Sequence, residues 1–273
     1  MTFRQPHLPR GLMVPFLAVI CIQFAFISSA WCKTAEETGL AIATEAARRD
    51  DGFSDYTANM TMILRNKQGE ESKRAIRSKT LEVPGDGDKS LSIFDTPKDV
   101  KGTAFLTFSH KEGDDEQWLY LPALKRVKRI NSRNKSGSFM GSEFAYEDIA
   151  SQEIEKYTYK HLREEEYLGQ LCFVGESYPV DKKNSGYTKR VSWVDKSEYR
   201  LQKVEFYDRK KSLLKTLTVE GYHQYLNKYW RADTMNMVNH QTGKETTLHW
   251  DNYKFGTGLS SSDFNATSLK RAR

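Results

Sequence analysis

The side chains that could make or break bonds in this sequence are few and poorly placed for it. Beyond residue 32 there are five histidines, His110, His161, His223, His240 and His249, and none stands at metal-ligand spacing from a second His or a Cys. His240 and His249 could face each other across a hairpin, which two ordinary strand histidines do more often than a metal site does. The carboxylates gather as Asp114, Asp115 and Glu116 and again as Glu164, Glu165 and Glu166, at the ends of predicted strands. A catalytic carboxylate pair needs one member desolvated to raise its pKa, and neither run has the apolar surround for that. No G-x-S-x-G elbow, H-E-x-x-H, G-x-x-x-x-G-K-[ST] or G-x-G-x-x-G occurs. Three cysteines without a C-x-x-C pair exclude a zinc knuckle and a disulfide-stapled scaffold. The expectation is a protein that is not an enzyme and uses no metal or cofactor.

Charge and apolar surface offer more. The run Lys125, Arg126, Lys128, Arg129, Arg133 and Lys135 is the strongest charge feature. On an intracellular protein it would suggest nucleic acid, but the front of the chain argues for export and against that partner. Two readings of the run remain: a basic edge that blocks edge-to-edge aggregation, or a docking surface for anionic head groups or an acidic partner protein. The export signal is the uncharged segment from Gly11 to Trp31, which follows Arg4 and Arg10 and ends in Ser28, Ser29 and Ala30. It reads as a secretory signal peptide over residues 1–32, cleaved after Ala30 or after Cys32. A buried helix or an uncleaved anchor are the alternatives, since the run approaches bilayer length. Its removal lowers the net charge of +6 to about +4. Cys172 then stands alone, or pairs with Cys32 if cleavage falls at the earlier site.

The elements that must position everything else follow from periodicity. Thr34 and Glu37 form a capping box, and Arg48, Arg49 and Gly52 mark the end of one helix. Leu40, Ile42, Ala43, Ala46 and Ala47 give it an apolar stripe suited to lie on a sheet. From Ser54 the period becomes two: Tyr56, Ala58, Met60, Met62 and Leu64 alternate with more polar neighbours. About a dozen such strands, divided by short Gly, Pro and Asn turns, predict an antiparallel meander that curls into a barrel or half-barrel. The one long interruption runs from Asn131 to Ser151. There SGSFMGSEFAYEDIAS combines two glycines with Phe139, Met140, Phe144 and Tyr146, which reads either as a lid or as a connection whose aromatics complete the core. A last short helix is expected near Ser262 to Leu269, with Phe264 and Leu269 packed inward.

Three motifs occur in order: TPKDVKGTAFL (Thr96 to Leu106), DDEQWLYLPALKRVKRI (Asp114 to Ile130) and SGSFMGSEFAYEDI (Ser136 to Ile149). Together they resemble the longer, LolA-like outer membrane lipoprotein-sorting proteins of Gram-negative bacteria. The resemblance implies a mainly β (α+β) fold: an unclosed antiparallel barrel with a few helices covering its concave apolar face, occupying residues 33–273 as one domain. It also implies a periplasmic carrier that shields lipid or lipoprotein acyl chains and works with an inner-membrane transporter of the resistance-nodulation-division (RND) type and an outer-membrane acceptor. A lipoprotein-sensing regulatory module is the alternative function on such a fold.

The residues themselves point the same way, less sharply. Met60, Met62, Met235 and Met237 recur at period two, and flexible thioethers suit variable acyl chains. Phe105, Trp118, Tyr120, Trp193, Phe139, Met140 and Phe144 are the other candidates for cavity and lid, with the strand face open to a one-residue inversion. Each buried acyl CH₂ contributes about 0.8 kcal/mol, so such a cavity would need no polar chemistry.

Overall fold

The structure is a computed structural model and describes residues 1–3 and 33–271. The signal-peptide reading and Cys32 lie outside the described residues. Helix α1 spans Ala35–Asp50 and starts as its capping box requires. Thr34 Oγ1 accepts from the Glu37 amide at 3.1 Å, and Glu37 Oε2 accepts from the Thr34 amide at 2.9 Å.

Thirteen strands follow: β1 Asp55–Arg65, β2 Glu71–Leu81, β3 Lys89–Thr96, β4 Ala104–Phe108, β5 Glu116–Leu121, β6 Arg126–Ile130, β7 Tyr157–Tyr167, β8 Gln170–Pro179, β9 Tyr187–Asp195, β10 Leu201–Asp208, β11 Leu213–Tyr225, β12 Tyr229–Asn239 and β13 Glu245–Phe255. They form one antiparallel sheet in the order β6-β5-β4-β3-β2-β1-β13-β12-β11-β10-β9-β8-β7. Each hairpin pairs with the next, and the two arms join where the first strand meets the last, with Met60 opposite Trp250. The sheet does not close: β6 and β7 are its free edges.

That topology dictates the path of residues 131–156, which must travel from one edge to the other. Laid flat, a sheet of this many strands at ~4.8 Å spacing would be roughly 58 Å wide. The crossing segment nevertheless bonds to both arms. Gln117 Nε2 of β5 donates to the Tyr146 carbonyl at 3.0 Å, Arg74 of β2 donates to the Met140 carbonyl, and the Glu143 amide donates to Thr246 Oγ1 of β13 at 3.0 Å. Lys215 Nζ of β11 donates to the Glu143 carbonyl at 2.7 Å. The sheet is therefore curled around the segment, and one apolar cluster runs along its inner face from Ile130 of β6 to Tyr187 of β9. Phe139 and Phe144 of the segment are buried within that cluster, so its aromatics complete the core. Its helical part, α2 (Tyr146–Ile149), is a single turn.

α1 covers the inner face beside β7, and Gly39 shows how closely. A Cβ at that position would lie 2.8 Å from the backbone nitrogens of Lys160 and His161, so only glycine permits the contact. The stripe that faces inward is Gly39, Ile42, Ala43 and Ala46; Leu40 is 47% exposed. The last helix, α3 (Ala266–Arg271), departs from the expectation that helices cover the concave side. Phe264 and Leu269 are buried against Leu91, Ile93, Ala104 and Leu106 on the opposite face. Those side chains alternate with Phe94 and Phe105 of the inner cluster, so β3 and β4 are apolar on both faces and need a cover on each. Among the described residues no helix is long and apolar enough to cross a membrane.

A half-buried acid near the β2–β3 turn makes stability depend on pH. Burial, followed by the nearby Glu153, Glu82 and Asp50, pushes the Asp88 carboxyl up to about 7. Because the folded value exceeds the unfolded one, Asp88 favours the folded state at acid pH, and that contribution is lost as pH rises from about 4 through 7. Asp88→Asn should therefore gain about 2 kcal/mol at pH 8 and almost nothing at pH 4. Urea midpoints at the two pH values check this.

Candidate functional site

Between α1 and the inner face of β7 to β12 lies a cavity of about 400 Å³. The period-two alternation of each strand supplies its wall: Tyr157, Tyr159 and His161 from β7, Phe173 and Gly175 from β8, Ser192 and Val194 from β9, and Val204 and Phe206 from β10. Leu217 of β11 and Met235 and Met237 of β12 close the far side, α1 is the roof, and Phe144 of the crossing segment forms one end. Three larger hollows of about 490–500 Å³ have charged walls, one around Lys111, Asp115 and Lys156, one around Arg49, Arg200 and Arg231, and one around Asp208, Arg209 and Lys210. The α1-roofed cavity is the one with the apolar character that acyl chains need.

A charged network sits where this cavity meets the crossing segment. Asp148 of α2 accepts from Lys215 Nζ at 2.8 Å, from the Tyr187 hydroxyl at 2.8 Å and from the Ala145 amide at 2.8 Å. Its neighbour Glu147 accepts from Ser185 Oγ at 2.8 Å and the Gly186 amide at 2.7 Å. Arg190 lies between them, with Nη2 3.6 Å from Asp148 and 3.9 Å from Glu147. Its guanidinium is 5.0 Å from the Tyr157 ring centroid, 5.1 Å from that of Tyr187 and 5.4 Å from that of Phe206. Nη1 donates to the Tyr157 hydroxyl at 3.0 Å and to Gln152.

Burial alone would raise the Asp148 carboxyl, but Lys215 and Arg190 outweigh it and hold the group below the usual carboxylate range. Burial likewise opposes the charge on Arg190, yet Tyr157, Asp148 and Glu147 leave its pKa above the ordinary arginine value. Burial, then Asp148 and Glu147, drives the Tyr187 phenol far up, so it stays a neutral donor. Two buried cations thus face two buried anions, and the network ties the crossing segment to β9 and β11 while Phe139 and Phe144 fill the space beside it.

The residues expected at the cavity divide three ways. Met235, Met237 and Phe144 line it. Met60, Met62, Phe105 and Phe139 belong to the same inner face but are packed solid, with Phe139 4.9 Å from Phe105 and 6.1 Å from Phe94 between ring centroids; Met140 is half-buried against them. Trp118, Tyr120 and Trp193 are on the other face, which corrects the expectation for them. Trp118 and Tyr120 pack under α3 in the Leu106 cluster, while Gln117 and Leu119 take the inward positions of β5. Trp193 packs with Cys172, Val174 and Val191 and donates from Nε1 to Glu165 at 2.9 Å. In each case the inward phase of the strand is one residue away.

In the basic run, Lys125, Arg126, Lys128 and Arg133 are exposed along or beside the β6 edge, next to Leu124 at 66% exposure. Arg129 is paired with Glu116 at 2.8 Å. Lys135 departs from the row: it is half-buried and paired with Asp181 at 2.7 Å. Cys172 is buried and has no disulfide partner among the described residues. No group of His, Cys, Asp and Glu among them could hold a metal ion.

Arg190, Lys215, Glu147 and Asp148 escaped the reading of the sequence, as did the cavity positions on β7 and β8. A signal existed. Lys215 shares the phase of inward Leu217 and Val219, and Arg190 that of Ser192 and Val194. A cation at an inward position requires a carboxylate from elsewhere, and the adjacent acids of the crossing segment are the source.

An unclosed antiparallel sheet curled around a crossing segment, with an apolar cavity under its first helix, defines a LolA-like half-barrel. A protein-family model described as "Uncharacterized protein" matches residues 86–271. A domain assigned to outer membrane lipoprotein sorting, from Vibrio parahaemolyticus, is 63% identical and superposes with a TM-score of 0.85 over 86% of this chain and 100% of that one. A DUF1329 family protein from Desulfovibrio piger is 28% identical, with a TM-score of 0.82 over 87% of this chain and 100% of that one. A LolA superfamily protein from Nitrosomonas europaea, 21% identical, shares the fold at a TM-score of 0.68 over 87% of this chain and 100% of that one. A search of curated proteins finds no match. The chain belongs to the outer membrane lipoprotein-sorting protein family of its 63%-identical relative, and it shares its fold with the LolA superfamily protein.

Proposed function

We propose that the protein is a periplasmic carrier that shields lipid or lipoprotein acyl chains in the α1-roofed cavity. It passes them from an inner-membrane transporter of the RND type to an outer-membrane acceptor. The observation that carries this reading is the cavity: largely apolar, about 400 Å³, and set between a helix and a curled sheet in a family with a lipoprotein-sorting relative. At about 0.8 kcal/mol per buried CH₂, six methylenes would contribute about 5 kcal/mol, enough to hold part of a chain without covalent chemistry. No catalytic step is required of any residue. The exposed row of Lys125, Arg126 and Lys128 beside Leu124 supplies a surface that would meet anionic head groups or an acidic partner.

Transfer of a fluorescent acyl lipid between two vesicle populations tests the proposal. The protein should accelerate transfer in proportion to its concentration. Charge reversal of Lys125, Arg126 and Lys128 to Glu should slow delivery to anionic vesicles at low salt and leave neutral vesicles unaffected. Absence of any uptake or transfer would contradict the carrier role, and a stable stoichiometric protein complex formed without transfer would point instead to a sensing module.

A further inference from the structure

The cavity is not uniformly apolar, and its one buried arginine is incompletely satisfied. Arg190 forms part of the wall and is 6% exposed. Its Nη1 is occupied by Tyr157 and Gln152, but Nε and Nη2 have no hydrogen-bond partner among the described residues and no contact with solvent. The carboxylates of Asp148 and Glu147 stay at 3.6 and 3.9 Å from Nη2, beyond hydrogen-bond distance. Nε and Nη2 are one side of the guanidinium, two parallel donors spaced for the two oxygens of a carboxylate. The same side grips carboxylates elsewhere in this chain: Arg48 holds Glu45 through Nε at 2.7 Å and Nη2 at 2.8 Å, and Arg77 holds Asp95 through Nε at 2.7 Å and Nη2 at 2.9 Å. Buried charged donors are rarely left without acceptors, and these two belong to a residue that borders an apolar cavity.

We propose that Arg190 is the head-group site of this cavity and that the preferred occupant is an amphiphile with a free carboxylate, a long-chain fatty acid or a lipid ending in one. The carboxylate takes the Nε and Nη2 donors, and the chain runs under α1 past Phe206 and Met235. The inference rests on the reading of the cavity as an acyl site and adds the chemistry of the polar end. Tyr157, Tyr187 and Phe206 flank the guanidinium and screen the new ion pair from water, where charge-assisted bonds are strongest.

Competition between palmitate and methyl palmitate for a fluorescent acyl probe on the full chain tests it. The ester has the same chain but cannot accept from both donors as an anion. Palmitate should bind at least about tenfold tighter, the least that one charge-assisted hydrogen bond is expected to give. Arg190→Lys keeps the positive charge beside Asp148 and Glu147 but has no fork. It should lose most of the preference for the acid over the ester. Equal binding of acid and ester by the wild type would overturn the head-group assignment and leave the carrier reading intact. Binding of neither would remove both. If Arg190→Lys does not fold, the wild-type comparison decides alone. A folded Arg190→Lys with undiminished acid preference would place the head group elsewhere and overturn the proposal.

Discussion

Replacing Asp148 with Ala should cost about 3–5 kcal/mol of folding stability, the largest effect expected of any single polar substitution in the chain. The carboxylate is buried and holds Lys215, the Tyr187 hydroxyl and the Ala145 amide, each at 2.8 Å. Its loss leaves Lys215 with only the Glu143 carbonyl, at 2.7 Å, and Arg190 with distant Glu147 as its one remaining carboxylate. An uncompensated buried cation costs more than the intact pair contributed, so Asp148→Ala combined with Lys215→Met should recover part of the loss. The lowered pKa of Asp148 gives the matching pH dependence: its contribution is present above the unfolded value near 4 and is lost as pH falls below it. Acid should therefore loosen the crossing segment before the rest of the sheet. Urea midpoints of the variants and amide exchange over residues 139–149 at pH 3 and pH 7 measure both. A loss under 1 kcal/mol would mean that the network does not anchor the segment.

The second large effect concerns binding. Ala43 is a small roof residue of the cavity, half-buried on α1. Ala43→Trp should place an indole in the space under the helix. If it displaces even four methylenes of a bound chain, affinity falls by about 3 kcal/mol, more than a hundredfold. Leu40→Trp, on the exposed side of the same helix, should bind as the wild type does and separates occlusion from damage to α1. Titration with a fluorescent fatty-acyl probe reads both variants. Equal affinity of Ala43→Trp and wild type would show that the acyl chain lies elsewhere.

Much of this fold was legible because meander strands announce themselves locally. β1 starts within a residue of where the alternation from Ser54 puts it, and the α1 cap follows from Thr34 and Glu37. What alternation leaves open is the face. β5 and β9 carry bulky residues in both phases, so Trp118 and Trp193 looked as suitable for the cavity as Leu119 and Val194 did. Register irregularities beside Thr57, His161 and Phe206 then break any phase carried along from a neighbouring strand. The charged network was hidden for a different reason. Arg190 and Lys215 read locally as surface residues, and their partners lie 42 and 67 positions earlier in Asp148. Only the topology, with its two free edges joined by one crossing segment, brings them together.

On the proposed function, the α1-roofed cavity holds acyl chains in the cell. Native mass spectrometry of the protein purified from periplasm without detergent tests it most directly. The expected result is a population shifted by the mass of one acyl species, which organic extraction releases and which Ala43→Trp lacks. Protein that arrives without bound lipid, and that takes up no fatty-acyl probe when offered one, would contradict it.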